Sequence, residues 1–457
     1  MAKLKLDLKI VNGRLATSAG VFPVDIGVKG GKIAGIGQWE TLPDADEIVE
    51  AKGKFVLPGG VDTHVHSGDP GFEQAGMSFS LTSPAGAWGG VTTIVDMPIQ
   101  IPLTTCCDTF DKKFSTIRPK AYVDFALWAT CKPDDVTTIV PLKSRGIVGY
   151  KLVMQESVAG IMPYHNDGAI LEALPEIKKT GLVTTFHAES QEMIMYLEEK
   201  LKKAGRTDPK AFLDCHPIIS ELEAIHRILF IAKYLGAKIN IAHCGIAEGI
   251  DLVDQAKKEG QAVTVETIIH YLTIDDSVFE TRGVFPKLSP ALRDRKHVDM
   301  LWQRLRDGKV DCVGSDHVAF PIEPWKKGNI WEAAAGSPGI QTMFPLLITE
   351  GVNKGRITLP QLVKVMSEGP AKMVGLYPKK GSALIGADAD FAIFDLQKER
   401  EVKLKDQIQI EWTLYEGKKV VYPDAVIVRG KAVVDKGAVV GKEGYGEFCT
   451  PQQKIAK

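Results

Sequence analysis

Apolar positions change rhythm twice along the chain. Residues 8 to 56 run in short segments, Leu8-Lys9-Ile10-Val11, Val24-Asp25-Ile26-Gly27-Val28 and Lys32-Ile33-Ala34-Gly35-Ile36-Gly37, which read as strands joined by tight turns. Gly30-Gly31 falls between two of them and marks a hairpin. No helical pattern follows these glycines, so they are turns and not a phosphate cradle. The tail repeats this texture at Asp390-Phe391-Ala392-Ile393-Phe394-Asp395 and over 425–434. Between the two ends, strand and amphipathic helix alternate. Candidate strands are Gly60 to His66, Val91 to Met97, Tyr122 to Trp128, Ile147 to Val153, Leu182 to His187, Lys238 to His243, Ala262 to Glu266 and Val310 to Asp316. Helical spacing fills several gaps, for example Ile170 to Lys179, Glu221 to Leu235 and Gly249 to Lys258. Eight such strands predict an α/β chain with a (β/α)8 TIM-like barrel, although an open doubly wound sheet gives the same alternation. The two β-rich ends predict one small sandwich from residues 1–56 plus 380–457, around a barrel at 57–379.

Polar residues at the strand ends favour the barrel. His66, Lys151, His187, His243 and Asp316 fall at or just past the C-terminal ends of five different predicted strands, the face on which barrel enzymes keep their chemistry. In Val61-Asp62-Thr63-His64-Val65-His66 the two imidazoles project from one face of the strand. Neutral nitrogen donors side by side suit zinc and its relatives. The alternative is two satisfied or exposed histidines, and a lone His187 or His243 would be read that way. Four histidines at the strand ends of one barrel favour ligation. Asp316 could cap the segment that follows it, or act as a metal ligand whose free oxygen accepts a proton. Lys151 would aim an ammonium at divalent cations, which disfavour that charge. It must then face solvent, be neutral, or be modified, and a carbamate formed with carbon dioxide would turn the cation into a two-oxygen anion.

Composition adds exclusions. The chain has 457 residues, 44% hydrophobic and 25% charged, with a formal net charge of -1. That balance gives no sign of a nucleic-acid or membrane partner. Seven scattered cysteines, an odd number, fit a reducing cytoplasm and no disulfide scaffold or zinc ribbon. The first seven residues alternate charge and Leu without the apolar core of a signal sequence, and no run approaches the roughly 18 apolar residues of a membrane span. His226 and His297 read as surface residues, and Trp302 with Leu305 as a helix face.

The motifs together resemble the cyclic amidohydrolases: hydantoinases, dihydropyrimidinases, allantoinases and dihydroorotases. The resemblance runs from Pro58-Gly59-Gly60 and the His64/His66 strand through Gly89-Gly90-Val91-Thr92-Thr93, Gly149-Tyr150-Lys151, His187-Ala188-Glu189, His243, Ser289-Pro290 and Gly314-Ser315-Asp316-His317 to Gly386-Ala387-Asp388-Ala389-Asp390. It is nearest to the L-hydantoinase and allantoinase branch. The resemblance implies a two-metal site, usually zinc with manganese or cobalt as alternatives. His64, His66 and Asp316 would hold one ion, His187 and His243 the other, and carbamylated Lys151 (N6-carboxylysine) would bridge them. A bridging hydroxide would attack the ring carbonyl, with Asp316 as general base and then general acid, giving an open-chain N-carbamoyl acid. Ser289 and the backbone near Ser337-Pro338-Gly339, Gly339 among them, would grip the amide edge of a small cyclic ureide. A cytoplasmic homo-oligomer, tetramer or dimer, is implied in the same way.

Departures from the family pattern narrow the substrate. The arginine that pairs with dihydroorotate is replaced by Gly68, which argues against that ring and suggests room for a bulkier, less polar substituent. The tyrosine that follows the bridging lysine in dihydropyrimidinases and D-selective hydantoinases is absent from residues 152 to 158. Where allantoinases usually carry Cys-Pro-His-Tyr, this chain has Ile268-Ile269-His270-Tyr271. The expected activity is therefore opening of 5-substituted hydantoins, with allantoinase the alternative. Side-chain specificity is expected from loops near 152–163 and Phe320. A non-catalytic dihydropyrimidinase-like scaffold would lack several ligands, and all six are present here.

Overall fold

The structure is a computed structural model that describes residues 5–38, 41–156 and 161–452. Residues 1–4 of the N-terminal stretch, and Ser157 to Gly160 of the loop after Lys151 that lacks the tyrosine and is expected to set specificity, lie outside the described residues.

The strand ending in the paired histidines is β1 (Gly60–His66), and all seven of its residues are buried. It begins a parallel series in chain order: β2 (Val91–Asp96), β3 (Asp124–Ala129), β4 (Gly149–Val153), β5 (Val183–His187), β6 (Ile239–Ile241) and β7 (Val263–Ile268). Strands buried on both faces carry the continuous apolar and β-branched runs seen in the sequence. The eighth strand comes in two pieces. β8 (Cys312–Gly314) pairs with β7, and after Ser315-Asp316 the short β9 (His317–Val318) pairs with β1. The sheet thus closes into the barrel, and the break in its last strand is at Asp316, whose φ of 46° takes it out of the ladder.

Helices cover the outside. Asp167–Thr180 and Arg295–Arg306 start at Asn166 and Asp294, whose side chains accept the N–H of Ala169 and His297. The second helix buries Val298, Leu301, Trp302 and Leu305, the spacing of a single inward face. Each such side chain contributes about 1.5–3 kcal/mol. His226 is exposed and His297 partly so, bonded to Asp294 through Nδ1 at 2.7 Å.

Two sheets form the second layer pair. One orders Lys32–Gly37, Asp25–Lys29, Leu6–Val11 and Ala45–Glu50. The other has seven strands and joins both ends of the chain: Phe55–Pro58, leading directly into β1, pairs antiparallel with Phe391–Phe394. Leu8, Ile10, Ile26, Val56, Phe391 and Ile427 are buried together in a core of their own.

Two features tie these layers to the barrel. Lys380, 1% exposed, sits among Asp124 of β3, Asp388 at 3.0 Å and Asp390 at 2.8 Å. Arg429 also pairs with Asp124, and Lys32 with Asp388. The three carboxylates are spaced as a metal site would space them, but the ammonium occupies their centre. The segment 446–452 returns to the start of β3, where Phe125 N–H donates to Glu447 O at 2.9 Å and Cys449 N–H to Phe125 O at 2.7 Å. Phe448 packs against the rings of Phe110, Phe114 and Phe125.

Candidate active site

Six side chains from the strand ends converge at the C-terminal mouth of the barrel. From β1, His64 and His66 direct Nε2 at Asp316 Oδ1, at 3.3 and 3.2 Å. From β5 and the end of β6, His187 Nδ1 faces His243 Nε2 at 3.0 Å. Lys151, on β4, brings Nζ to 3.5 Å from His243 Nε2. The rings of His64 and His243 lie 5.0 Å apart, so the two groups form one cluster. All six residues are buried.

The electrostatics suit neutral donors. Burial, then the charge of Lys151 and the neighbouring imidazoles, hold His243 well below its usual range, and burial lowers His66 despite Asp316. Burial pulls Lys151 down to about 8, against the attraction of Asp316 and Glu266. Asp316 is held well below the carboxylate range because His64, His66 and His243 outweigh its burial. His243 and Asp316 both have positive φ, 33° and 46°, a strained setting that neighbours must enforce. Here they do: His243 N–H donates to Glu266 Oε1 at 3.2 Å and Ser315 N–H to Asp62 Oδ1 at 3.1 Å.

These supporting carboxylates are what reasoning from sequence missed. Glu266 on β7 binds His64 Nδ1 at 2.6 Å and accepts from Thr63 Oγ1 at 2.8 Å. Glu189 binds His187 Nε2 at 3.0 Å. Each fixes one imidazole so that its other nitrogen points inward, the second layer that metal-ligating histidines usually have. The available signal was a carboxylate inside the buried run Val263–Ile268 and another two residues past His187.

A cavity of about 350 Å³ opens over the cluster. One wall is apolar: Phe72, Met77, Val318 and Phe320 are buried together with Trp325 packed against them, and Phe320 stacks on Trp325 at 4.8 Å. Gly68 lines the cavity with φ of 83°, and a Cβ there would meet Met77 Cβ at 2.8 Å and Phe72 Cβ at 3.0 Å. The room left by the missing side chain is filled by apolar neighbours. Ser289 lines the cavity and donates to Glu189 Oε2 at 2.7 Å. Gly339, whose backbone is expected to grip substrate, is not among the residues that line this cavity. Its N–H is used on His317 Nδ1 at 3.1 Å, and the stretch that reaches the cavity is Ala333 to Gly336.

The seven cysteines are all free, five of them buried. No helix among the described residues is long and apolar enough to cross a membrane.

Residues 55–433 match the model of the amidohydrolase family. The chain belongs to this family. It is 37% identical to an L-hydantoinase of Paenarthrobacter aurescens over 97% of this chain and 98% of that one. It is 32% identical to an allantoinase of Bacillus licheniformis over 97% of this chain and all of the other. Among solved structures, the L-hydantoinase (dihydropyrimidinase) from Arthrobacter aurescens superposes with a TM-score of 0.94, covering 97% of this chain and 100% of that one.

Proposed function

We propose that the protein is a metal-dependent hydrolase that opens the cyclic amide of 5-substituted hydantoins to N-carbamoyl amino acids. The observation that carries this reading is the six-residue cluster beneath a cavity with an aromatic wall. His64, His66 and Asp316 fit one divalent cation, as buried donors whose ligating atoms face one another. His187 and His243 fit a second, and Lys151 lies beside them, where an N6-carboxylate would bridge. Zinc is the preferred ion from the imidazole and carboxylate donors, with manganese or cobalt as alternatives. When bound, two such ions supply Lewis acidity toward the ring carbonyl and activate water near neutral pH.

The chain's own residues do the rest. Glu266 and Glu189 keep His64 and His187 in the tautomers that leave their inward nitrogens free. Asp316, a carboxylate at the floor of the cavity, takes a proton from attacking water and returns it to the leaving ring nitrogen. Ser289 meets the amide edge of the ring. Phe72, Phe320 and Trp325 cover an apolar C5 substituent and keep water off it, which favours hydantoins over allantoin, whose substituent is a polar ureide. Free cysteines fit a cytoplasmic setting, and a homo-oligomer is the assembly we infer from the family resemblance.

The test is steady-state kinetics of metal-loaded enzyme on 5-benzyl- and 5-isobutylhydantoin, dihydrouracil and allantoin, before and after chelation, with mass spectrometry of Lys151. Expected are preference for substituted hydantoins, loss of activity on chelation with recovery on zinc, and a mass increase of one carboxylate at Lys151. Allantoin preferred by orders of magnitude would replace the hydantoin reading with allantoinase. Unmodified Lys151 in active enzyme would end its bridging role.

A further inference from the structure

Glu189 is fully buried, yet it stands between two parts of the site that differ in kind. Its Oε2 accepts from His187 Nε2 at 3.0 Å and from Ser289 Oγ at 2.7 Å. Its Oε1 has no hydrogen-bond partner among the described residues. One oxygen therefore serves a histidine whose other nitrogen faces the metal cluster and a serine that lines the substrate cavity.

Proton counting gives the consequence. A serine hydroxyl has one proton and two lone pairs, and an ionised carboxylate only accepts. Ser289 has committed its proton to Glu189, so only its lone pairs are left for the cavity. The hydroxyl can accept from a ligand N–H and cannot donate to a ligand carbonyl. His187 is under the same constraint: with Nε2–H on Glu189, Nδ1 stays unprotonated toward His243.

We propose that Glu189 is a positioning residue that makes Ser289 an obligate acceptor, so that the enzyme selects rings with a free imide N–H, and that the same oxygen sets the tautomer of His187. The proposal rests on the cyclic-amide reading for its ligand half. Its histidine half stands on the protein alone. A substrate methylated on that ring nitrogen leaves the Ser289 lone pair unpaired and places a methyl group against it, and buried groups left unpaired are what give a site its largest discrimination.

The experiment compares kcat/KM for a ring with a free N–H and for its N-methyl counterpart, using whichever cyclic amide the metal-loaded wild type turns over best. The variants are Ser289→Ala, Glu189→Met, the double variant and Glu189→Gln, each checked by thermal melting. Metal affinity is measured in parallel by competition with a chelator. Wild type is expected to prefer the N–H ring by about 100-fold or more. Ser289→Ala and Glu189→Met should each reduce this to within about fivefold, chiefly through KM on the N–H ring, and the double variant should lose no further discrimination. Glu189→Gln, whose amide oxygen can accept both bonds, should recover most of it. Glu189→Met should also weaken metal binding by about 10- to 100-fold, and Ser289→Ala should leave metal binding unchanged. Wild-type discrimination retained in folded Ser289→Ala or Glu189→Met overturns the ligand half. Unchanged metal affinity in Glu189→Met overturns the histidine half. If Glu189→Met does not fold, Ser289→Ala decides the ligand half and Glu189→Gln the histidine half, since retained metal affinity is required of it. Failure of wild type to open any cyclic amide overturns the functional reading and the ligand half with it, and leaves the metal-affinity result to decide the rest.

Discussion

Replacing Lys380 by Met keeps the length of the buried stem and removes only the ammonium. Asp124 retains Arg429 and Asp388 retains Lys32. Asp390 loses its ionic partner and keeps the backbone N–H of Arg429 at 2.8 Å. It then has two routes, remaining ionised in a buried setting or taking a proton. Stripping one partner from a buried pair costs about 3–5 kcal/mol. Protonating a carboxyl of ordinary pKa near 3.9 at pH 7 costs about 4 kcal/mol, at 1.36 kcal/mol per pH unit. The two routes agree, so Lys380→Met is expected to lose about 4 kcal/mol at pH 7. The sign of the pH dependence follows from linkage. If the folded variant binds a proton that its unfolded chain does not, stability relative to wild type rises as pH falls, and the deficit shrinks to about 1.5 kcal/mol at pH 5. Urea unfolding of both proteins at pH 7 and pH 5, followed by tryptophan fluorescence and circular dichroism, reads both numbers. A loss below about 1 kcal/mol at pH 7, or a deficit that does not shrink on acidification, would refute the assignment of Lys380 as the counter-ion of this cluster.

Two further substitutions probe the cavity wall. Gly68→Arg restores the cation that dihydroorotate-binding relatives carry, but at a φ of 83° with Met77 and Phe72 already in the space. It is expected to destabilise by about 2 kcal/mol or more and to confer no turnover of dihydroorotate, measured by thermal melting and a ring-opening assay. Trp325→Ala removes the ring that stacks on Phe320 and meets Phe72 edge-on at 6.3 Å. It should raise KM for 5-benzylhydantoin by about 10- to 100-fold and leave unsubstituted hydantoin within about threefold. Equal effects on both substrates would place the aromatic wall outside the substituent pocket.

The barrel was legible because its strands are buried on both faces. Their apolar runs stand out against the amphipathic helices, and the predicted and observed strands overlap for all eight. The histidines were legible because they end such runs. The split of the eighth strand was not, since nothing in Cys312-Val313-Gly314-Ser315-Asp316-His317 announces that Asp316 leaves the ladder and His317 rejoins it. Glu189 and Glu266 escaped for a different reason: Glu266 is explained by His64, 202 residues away in the chain, and Glu189, though only two residues past His187, also binds Ser289, 100 residues on. A backbone group in a loop, such as that of Gly339, has no side-chain pattern in the sequence to fix whether it lines the cavity. The three-carboxylate cluster around Lys380 shows the opposite hazard, a set of acidic residues whose purpose is decided by one lysine inside it.

The segment 446–452 has a consequence for how the chain is made. It supplies backbone hydrogen bonds to Ala121 and Phe125 at the start of β3, and Phe448 covers the rings beside them. These residues leave the ribosome only after every barrel strand has been translated, so the floor around β3, made in the first third of the chain, can be covered only by some of the last residues synthesised.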